Sequence, residues 1–208
     1  MNLVKKIGYI FLFIQSESFA QQNSSTSVWY FSGVSYKVSS AFSIWGHYGI
    51  NNNQDIDGLY IQSFIKINKH ITLNPSYLML AFDNEGISRS ENTFMHSVNF
   101  QLFIGRFLLE NRNMIWNWIR KDTEDLYFYR NRNRLHSPFQ AGSGHGKLYA
   151  FNEISYSFNQ KKLNRNRLGI GFNYDLLKNL NIDGFYALQS DLSRNKTHYI
   201  LIMLTIQL

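Results

Sequence analysis

Eight charged residues recur at two-residue spacing in the middle of the chain: Glu110 and Arg112, then Arg130, Arg132 and Arg134, then Glu153, then Arg165 and Arg167. Successive side chains of an extended strand point to opposite sides, so this spacing gathers each set on one face. Guanidinium and carboxylate groups on a shared face can do one of two things. They can satisfy one another through forked ion pairs across neighbouring strands. They can also leave a positive excess that holds a phosphate or carboxylate. Six arginines against two glutamates leave four positive charges in excess, which Asp175 and Asp183 would lower if they share the face.

Strands must position these residues, and the chain alternates on a two-residue beat to support them. Between Asn164 and Tyr174 one face is Leu168, Ile170, Phe172 and Tyr174, and the other is Arg165, Arg167, Gly169, Gly171 and Asn173. A helix would scatter the two sets. The same beat recurs in Ser27 to Lys37, Ala41 to Ile50, Leu59 to Ile67, His70 to Phe82, Phe94 to Phe103, Phe107 to Trp118, Leu126 to His136, Lys147 to Phe158, Leu180 to Gln189 and Thr197 to Leu208. Segments of about 9 to 11 residues suit a tilted strand crossing a bilayer. Connections alternate as well. Short ones such as Gly105 to Arg106 and Lys178 to Asn179 interleave with longer polar ones such as Asn51 to Asp57, Asp83 to Glu91, Arg120 to Asp125 and Ser190 to Lys196. The stretch Ser137 to Gly146 reads as a long glycine-rich loop where a short turn is due, and eleven strands conflict with the even count usual in bacterial barrels.

The first 20 residues read as an export signal. Lys5 and Lys6 precede the apolar stretch Ile7 to Ile14, and Ser18-Phe19-Ala20 offers a cleavage site after Ala20. Eight residues fall short of the roughly 20 that a membrane helix needs. No cysteine follows, which excludes a bacterial lipid anchor and a disulfide-stapled fold. Removing residues 1–20 takes two lysines and one glutamate from 21 basic and 14 acidic residues, leaving 19 and 13, a net charge of +6. A basic balance can signal nucleic acid, but an exported chain seldom meets any, so no nucleic-acid partner is expected. With no long apolar helix after residue 20, an embedded protein must be a closed barrel, because only helices and closed barrels satisfy every backbone group in lipid.

These observations predict an all-β fold: a transmembrane antiparallel up-and-down β-barrel of about 10 to 12 strands over residues 21–208, in the bacterial outer membrane. The competing soluble sandwich predicts a solvated face rich in Lys, Glu and Thr. Here that face holds arginine, asparagine, serine and glycine. Trp29, Trp45, Trp116, Trp118, Tyr127 and Tyr129 lie near strand ends, where interfacial aromatic girdles sit. Tyr199 to Leu208 is apolar on nearly both faces, like the closing strand read by the barrel-assembly machinery. By parity Glu110, Arg112, Arg130, Arg132, Arg134, Glu153, Arg165 and Arg167 form a belt inside the wall. A charge on the lipid face near the midplane would cost about 2 to 4 kcal/mol.

One stretch carries a resemblance. Glu110-Asn111-Arg112, the ladder Tyr129-Arg130-Asn131-Arg132-Asn133-Arg134, Phe151-Asn152-Glu153-Ile154 and Asn166-Arg167-Leu168-Gly169-Ile170-Gly171 resemble an uncharacterised family of Gram-negative outer-membrane barrels, the domain of unknown function 2490. The resemblance implies an outer-membrane barrel and supplies no activity. Members often have a His-Arg pair where His96 is followed here by Ser97.

Catalysis would need a nucleophile, a base and an orienting group within reach. The pairs His96-Ser97 and His136-Ser137 are adjacent, so on strands they point apart. Ser143 and His145 flank Gly144 and could approach, but no third group is positioned for them. No metal-ligand spacing or nucleotide loop stands in the sequence, so neither metal nor cofactor is expected. The reading is a non-catalytic structural or accessory component of an outer-membrane complex, with outer-membrane lipid, lipopolysaccharide and other outer-membrane proteins as partners. A small anion-preferring solute channel and a lipid-modifying outer-membrane enzyme are the alternatives.

Overall fold

A computed structural model describes residues 24–84, 87–121, 123–141, 144–191 and 196–208. The export signal expected at residues 1–20 falls outside them, as does Ser143. Eleven strands follow one another: β1 (Ser24–Lys37), β2 (Phe42–Asn51), β3 (Ile56–Lys66), β4 (Ile71–Asn84), β5 (Ile87–Ile104), β6 (Phe107–Arg120), β7 (Leu126–Ala141), β8 (Gly144–Ser157), β9 (Lys162–Leu177), β10 (Leu180–Asp191) and β11 (Lys196–Gln207). Each pairs antiparallel with the next, and β1 meets β11 to close the barrel. In a meander with an odd number of strands the first and last run the same way, so this closing pair is parallel. The odd count therefore stands as read, and the sheet is antiparallel everywhere except at this seam.

The seam has its own fastening. Gly33 on β1 faces the lumen with no side chain, and the His47 imidazole from β2 reaches past it to the Thr205 hydroxyl on β11, Nε2 to Oγ1 2.8 Å. A Cβ on Gly33 would lie 2.0 Å from the Gly46 carbonyl oxygen and 2.7 Å from the His47 ring. The backbone N–H of Leu208 donates to the Ser35 carbonyl at 2.8 Å and continues the pairing to the chain's last residue.

Polarity is inverted relative to a water-soluble protein. Outward positions expose Tyr30, Val34, Ile44, Leu59, Phe94, Ile115, Leu135, Leu148, Leu168, Ile170 and Ile202, while Ser27, His47, Asn51, Asn74, Glu91, Thr93, Ser97 and Glu153 are buried. Burying serine, asparagine and glutamate while exposing leucine and isoleucine is costly in water and favourable in lipid. That rules out the sandwich.

Three sequence expectations are corrected. Ser137 to Gly146 is not a long loop: β7 continues to Ala141, β8 starts at Gly144, and the two residues pair directly. Nor do β4 and β5 leave a long loop at Asp83 to Glu91, since strand pairing runs up to Asn84 and Ile87. The tryptophan girdle fails too. Trp29, Trp45, Trp116 and Trp118 share the parity of the buried positions Phe31, His47 and Met114, so all four point into the lumen; Tyr127 and Tyr129 do face out. Lumen volume explains this, since a barrel of this width must be filled by large side chains or by water.

A direct check of the parallel seam uses the absence of native cysteine. Tyr30 and Ile202 are partners on the outer face. The double variant Tyr30→Cys/Ile202→Cys should form an intramolecular disulfide that makes the heat-denatured chain migrate faster until reductant is added. Failure to cross-link in the folded protein would contradict the closing register.

Candidate functional site in the lumen and on the outer wall

Strands β6 to β9 are neighbours, and the structure places all eight charged residues of the sequence-derived belt on their inner face. Cross-strand pairing sets the contacts: Glu110 stands opposite Arg134, Arg112 opposite Arg132, Arg132 opposite Glu153, and Glu153 opposite Arg167. Long side chains then choose partners diagonally. Arg112 donates from Nη2 to Glu153 Oε2 at 2.8 Å, Arg130 donates to Oε1 of the same carboxylate, and Arg167 Nη1 stands 3.6 Å from Oε1. Three guanidinium groups thus share one buried carboxylate.

The remaining charges do not join that cluster. Arg132 pairs with Glu110 at 3.1 Å, and Arg165 pairs with Asp191 at 2.7 Å. Arg134 lies over aromatic faces, 4.3 Å from the Tyr149 ring centroid and 5.8 Å from that of Phe151. Ring faces also cover Arg130, 4.2 Å from Trp116, and Arg167, 4.7 Å from Tyr199. A cation over a desolvated ring face gains about 2 kcal/mol, which offsets part of its lost hydration. Asp183 accepts from the Tyr149 hydroxyl and Asn173, and Asp175 accepts from Asn181; among the described residues neither forms a salt bridge with an arginine.

The aromatic rings need room, and glycine supplies it. Phe151 lies across Gly169 on the next strand, where a Cβ would come within 2.5 Å of the ring and 2.7 Å of the Tyr186 carbonyl oxygen. The inward glycines of the Arg167-Leu168-Gly169-Ile170-Gly171 stretch are thus the floor beneath the lumen's aromatic filling.

A second feature escaped the sequence reading. The asparagines that alternate with the arginines point outward. Asn111, Asn113, Asn131 and Asn133 form a closed ring of amides: Asn111 donates to Asn133 at 2.8 Å, Asn133 to Asn131 at 3.1 Å, Asn131 to Asn113 at 3.0 Å and Asn113 to Asn111 at 2.6 Å. The Tyr129 hydroxyl donates into the ring at Asn113. Further round the wall Asn152 donates to Asn166 at 2.7 Å. Apolar outward residues flank this stripe along the strands on both sides, Ile115 and Ile154 on one, Leu135 and Leu168 on the other. The signal was present in the sequence, because a strand that puts Arg130, Arg132 and Arg134 inside must put Asn131 and Asn133 outside.

The serine and histidine pairs weighed for catalysis stay apart. Ser97 and His136 point into the lumen, and their neighbours His96 and Ser137 point out. Among the described residues no group of three or more histidine, aspartate or glutamate side chains is placed to hold a metal.

With this geometry in view, a family model described as "Protein of unknown function (DUF2490)" matches residues 26–199, from β1 into β11. The chain belongs to that family. The match takes in the inner arginine ladder and the outer asparagine stripe alike. Among solved structures, one described as "Outer-membrane expressed OmpT of Vibrio cholerae" is similar with a TM-score of 0.39 at 14% identity, covering 74% of this chain and 52% of that one. The chain thus spans about half the length of that protein. A comparison with curated proteins finds no match.

Removing the shared carboxylate tests the network. Glu153→Ala should leave three arginine charges with no carboxylate and destabilise the barrel by about 3 to 5 kcal/mol. The measurement is the temperature at which the compact, unheated gel band converts to the unfolded one. An unchanged temperature would mean that water, not Glu153, balances these guanidinium groups.

Proposed function

We propose that this protein is a non-catalytic outer-membrane barrel that serves as an accessory component of a larger outer-membrane assembly. It meets a neighbouring membrane-embedded protein through the outer wall of β6 to β9, with outer-membrane lipid and lipopolysaccharide around the rest. The asparagine stripe carries this reading. Each ring amide uses one of its two N–H donors within the ring. Leaving an amide donor unsatisfied in hydrocarbon costs several kcal/mol, whereas a partner surface bearing carbonyl or hydroxyl acceptors satisfies it. An apolar groove of about 770 Å³ adjoins the stripe on the same side of the wall, lined by Leu148, Ile170, Phe172, Tyr186 and Ile202. Polar donors beside an apolar trough suit a protein surface better than acyl chains.

The filled lumen supports a scaffold over a solute channel. Side chains from β1, β3, β4, β5, β6, β7, β8, β9, β10 and β11 converge on one central space of about 160 Å³. A porin leaves an aqueous channel at that level.

A photo-reactive residue placed at Asn131 or Asn133 in cells tests the proposal, with the same residue at Ile61 on β3 as the control. A discrete protein adduct at the asparagine positions and only lipid at Ile61 is the expected outcome. Lipid adducts alone at all three positions would refute the partner face.

A further inference from the structure

The central lumen space is more than filler. Arg112, Arg130, Arg132, Arg167 and Glu153 line it, together with Trp116 and Tyr199. Four guanidinium groups and one carboxylate give a formal excess of three positive charges; counting Glu110, which pairs with Arg132, leaves two. Guanidinium groups stay protonated, so deprotonation cannot relieve this excess, and the surrounding lipid bars counter-ions from the sides. The pairs also leave donors unused. The Nε atoms of Arg112, Arg130 and Arg132 are buried and find no acceptor among the described residues. Arg130 is the most enclosed, its side chain 9% exposed.

A second, smaller space of about 60 Å³ adjoins the first and shares Trp116 and Arg130 with it. Asn164 and Arg165 line its far side, close to the first residue of β9, Lys162. A line of arginines therefore runs from the β8–β9 end of the barrel inward, through Arg165 and Arg130 to the central cluster.

We propose that the central space is a binding site for a small multivalent oxyanion of the phosphate class, entering from the β8–β9 end. A charge excess of two to three calls for more than one negative charge. The forked donors of arginine match tetrahedral oxyanions, and the roughly 160 Å³ cavity has room for several atoms. The inference is independent of the partner face, because it concerns the opposite side of the same wall.

The test titrates purified full-length protein in detergent with inorganic phosphate, with chloride at matched ionic strength as control. It records the heat of binding and the midpoint of thermal unfolding. A ligand that binds only the folded barrel raises the midpoint until the site fills. We expect a saturable rise with millimolar phosphate, accompanied by measurable binding heat and absent with chloride. Arg132→Lys, which keeps the charge and loses the fork, should weaken phosphate binding at least tenfold while the barrel still folds. Arg112→Gln should weaken it further. A rise that never saturates and is equal in Arg132→Lys would be the general stabilising effect of phosphate on proteins and would overturn the site. Absence of binding heat would overturn it equally.

Discussion

Three guanidinium groups share the Glu153 carboxylate, and much of the barrel's interior is arranged around that contact. A buried carboxylate without cations, or buried arginines without a carboxylate, would cost several kcal/mol per ion. The network therefore constrains its surroundings. Trp116 and Tyr199 must offer ring faces to Arg130 and Arg167, which Glu153 only partly neutralises, while Tyr149 and Phe151 offer theirs to Arg134, which has no ion pair with it. Gly169 must lack a side chain so that Phe151 can lie flat against the wall. The result is a lumen closed by charge and aromatic surface rather than by an aliphatic core.

The same alternation that buries the arginines forces the asparagines between them into the apolar band. Exposed amides are an expense for a lipid-facing wall, and the closed ring of four lowers it without removing it. Inner and outer faces of β6 to β9 are therefore linked by register: a one-residue slip would put Arg130 and Arg132 in lipid and the amides in the lumen. That linkage explains how one short stretch of sequence sets both the interior charge and the external polar stripe.

Strand positions and the inward direction of the arginines were legible in the sequence because both depend on a local two-residue period. Other features depend on which segments meet. The parallel β1–β11 seam joins residues some 170 positions apart, and only the odd strand count hinted at it. Glycines between Ser137 and Gly146 suggested a loop, whereas Gly144 and Gly146 lie in paired strand beneath the outward rings of Tyr174 and Phe139. Trp116 and Trp118 were read from their place near a strand end, although they share parity with Arg112; applying the period strictly puts them inside. Asp191 as the partner of Arg165 required the pairing of β9 with β10.

Nitroxide scanning along β11 from Ile200 to Ile206 in bilayers tests whether the lumen is filled and the outer wall faces lipid. Ile200, Ile202, Leu204 and Ile206 face outward, while Leu201 and Met203 line the central space. Labels at the outward positions should collide freely with oxygen dissolved in the lipid. Those at Leu201 and Met203 should be immobilised and shielded from both oxygen and a water-soluble nickel complex. Ready access of the nickel complex to Leu201 and Met203 would show a water-filled passage and contradict the account.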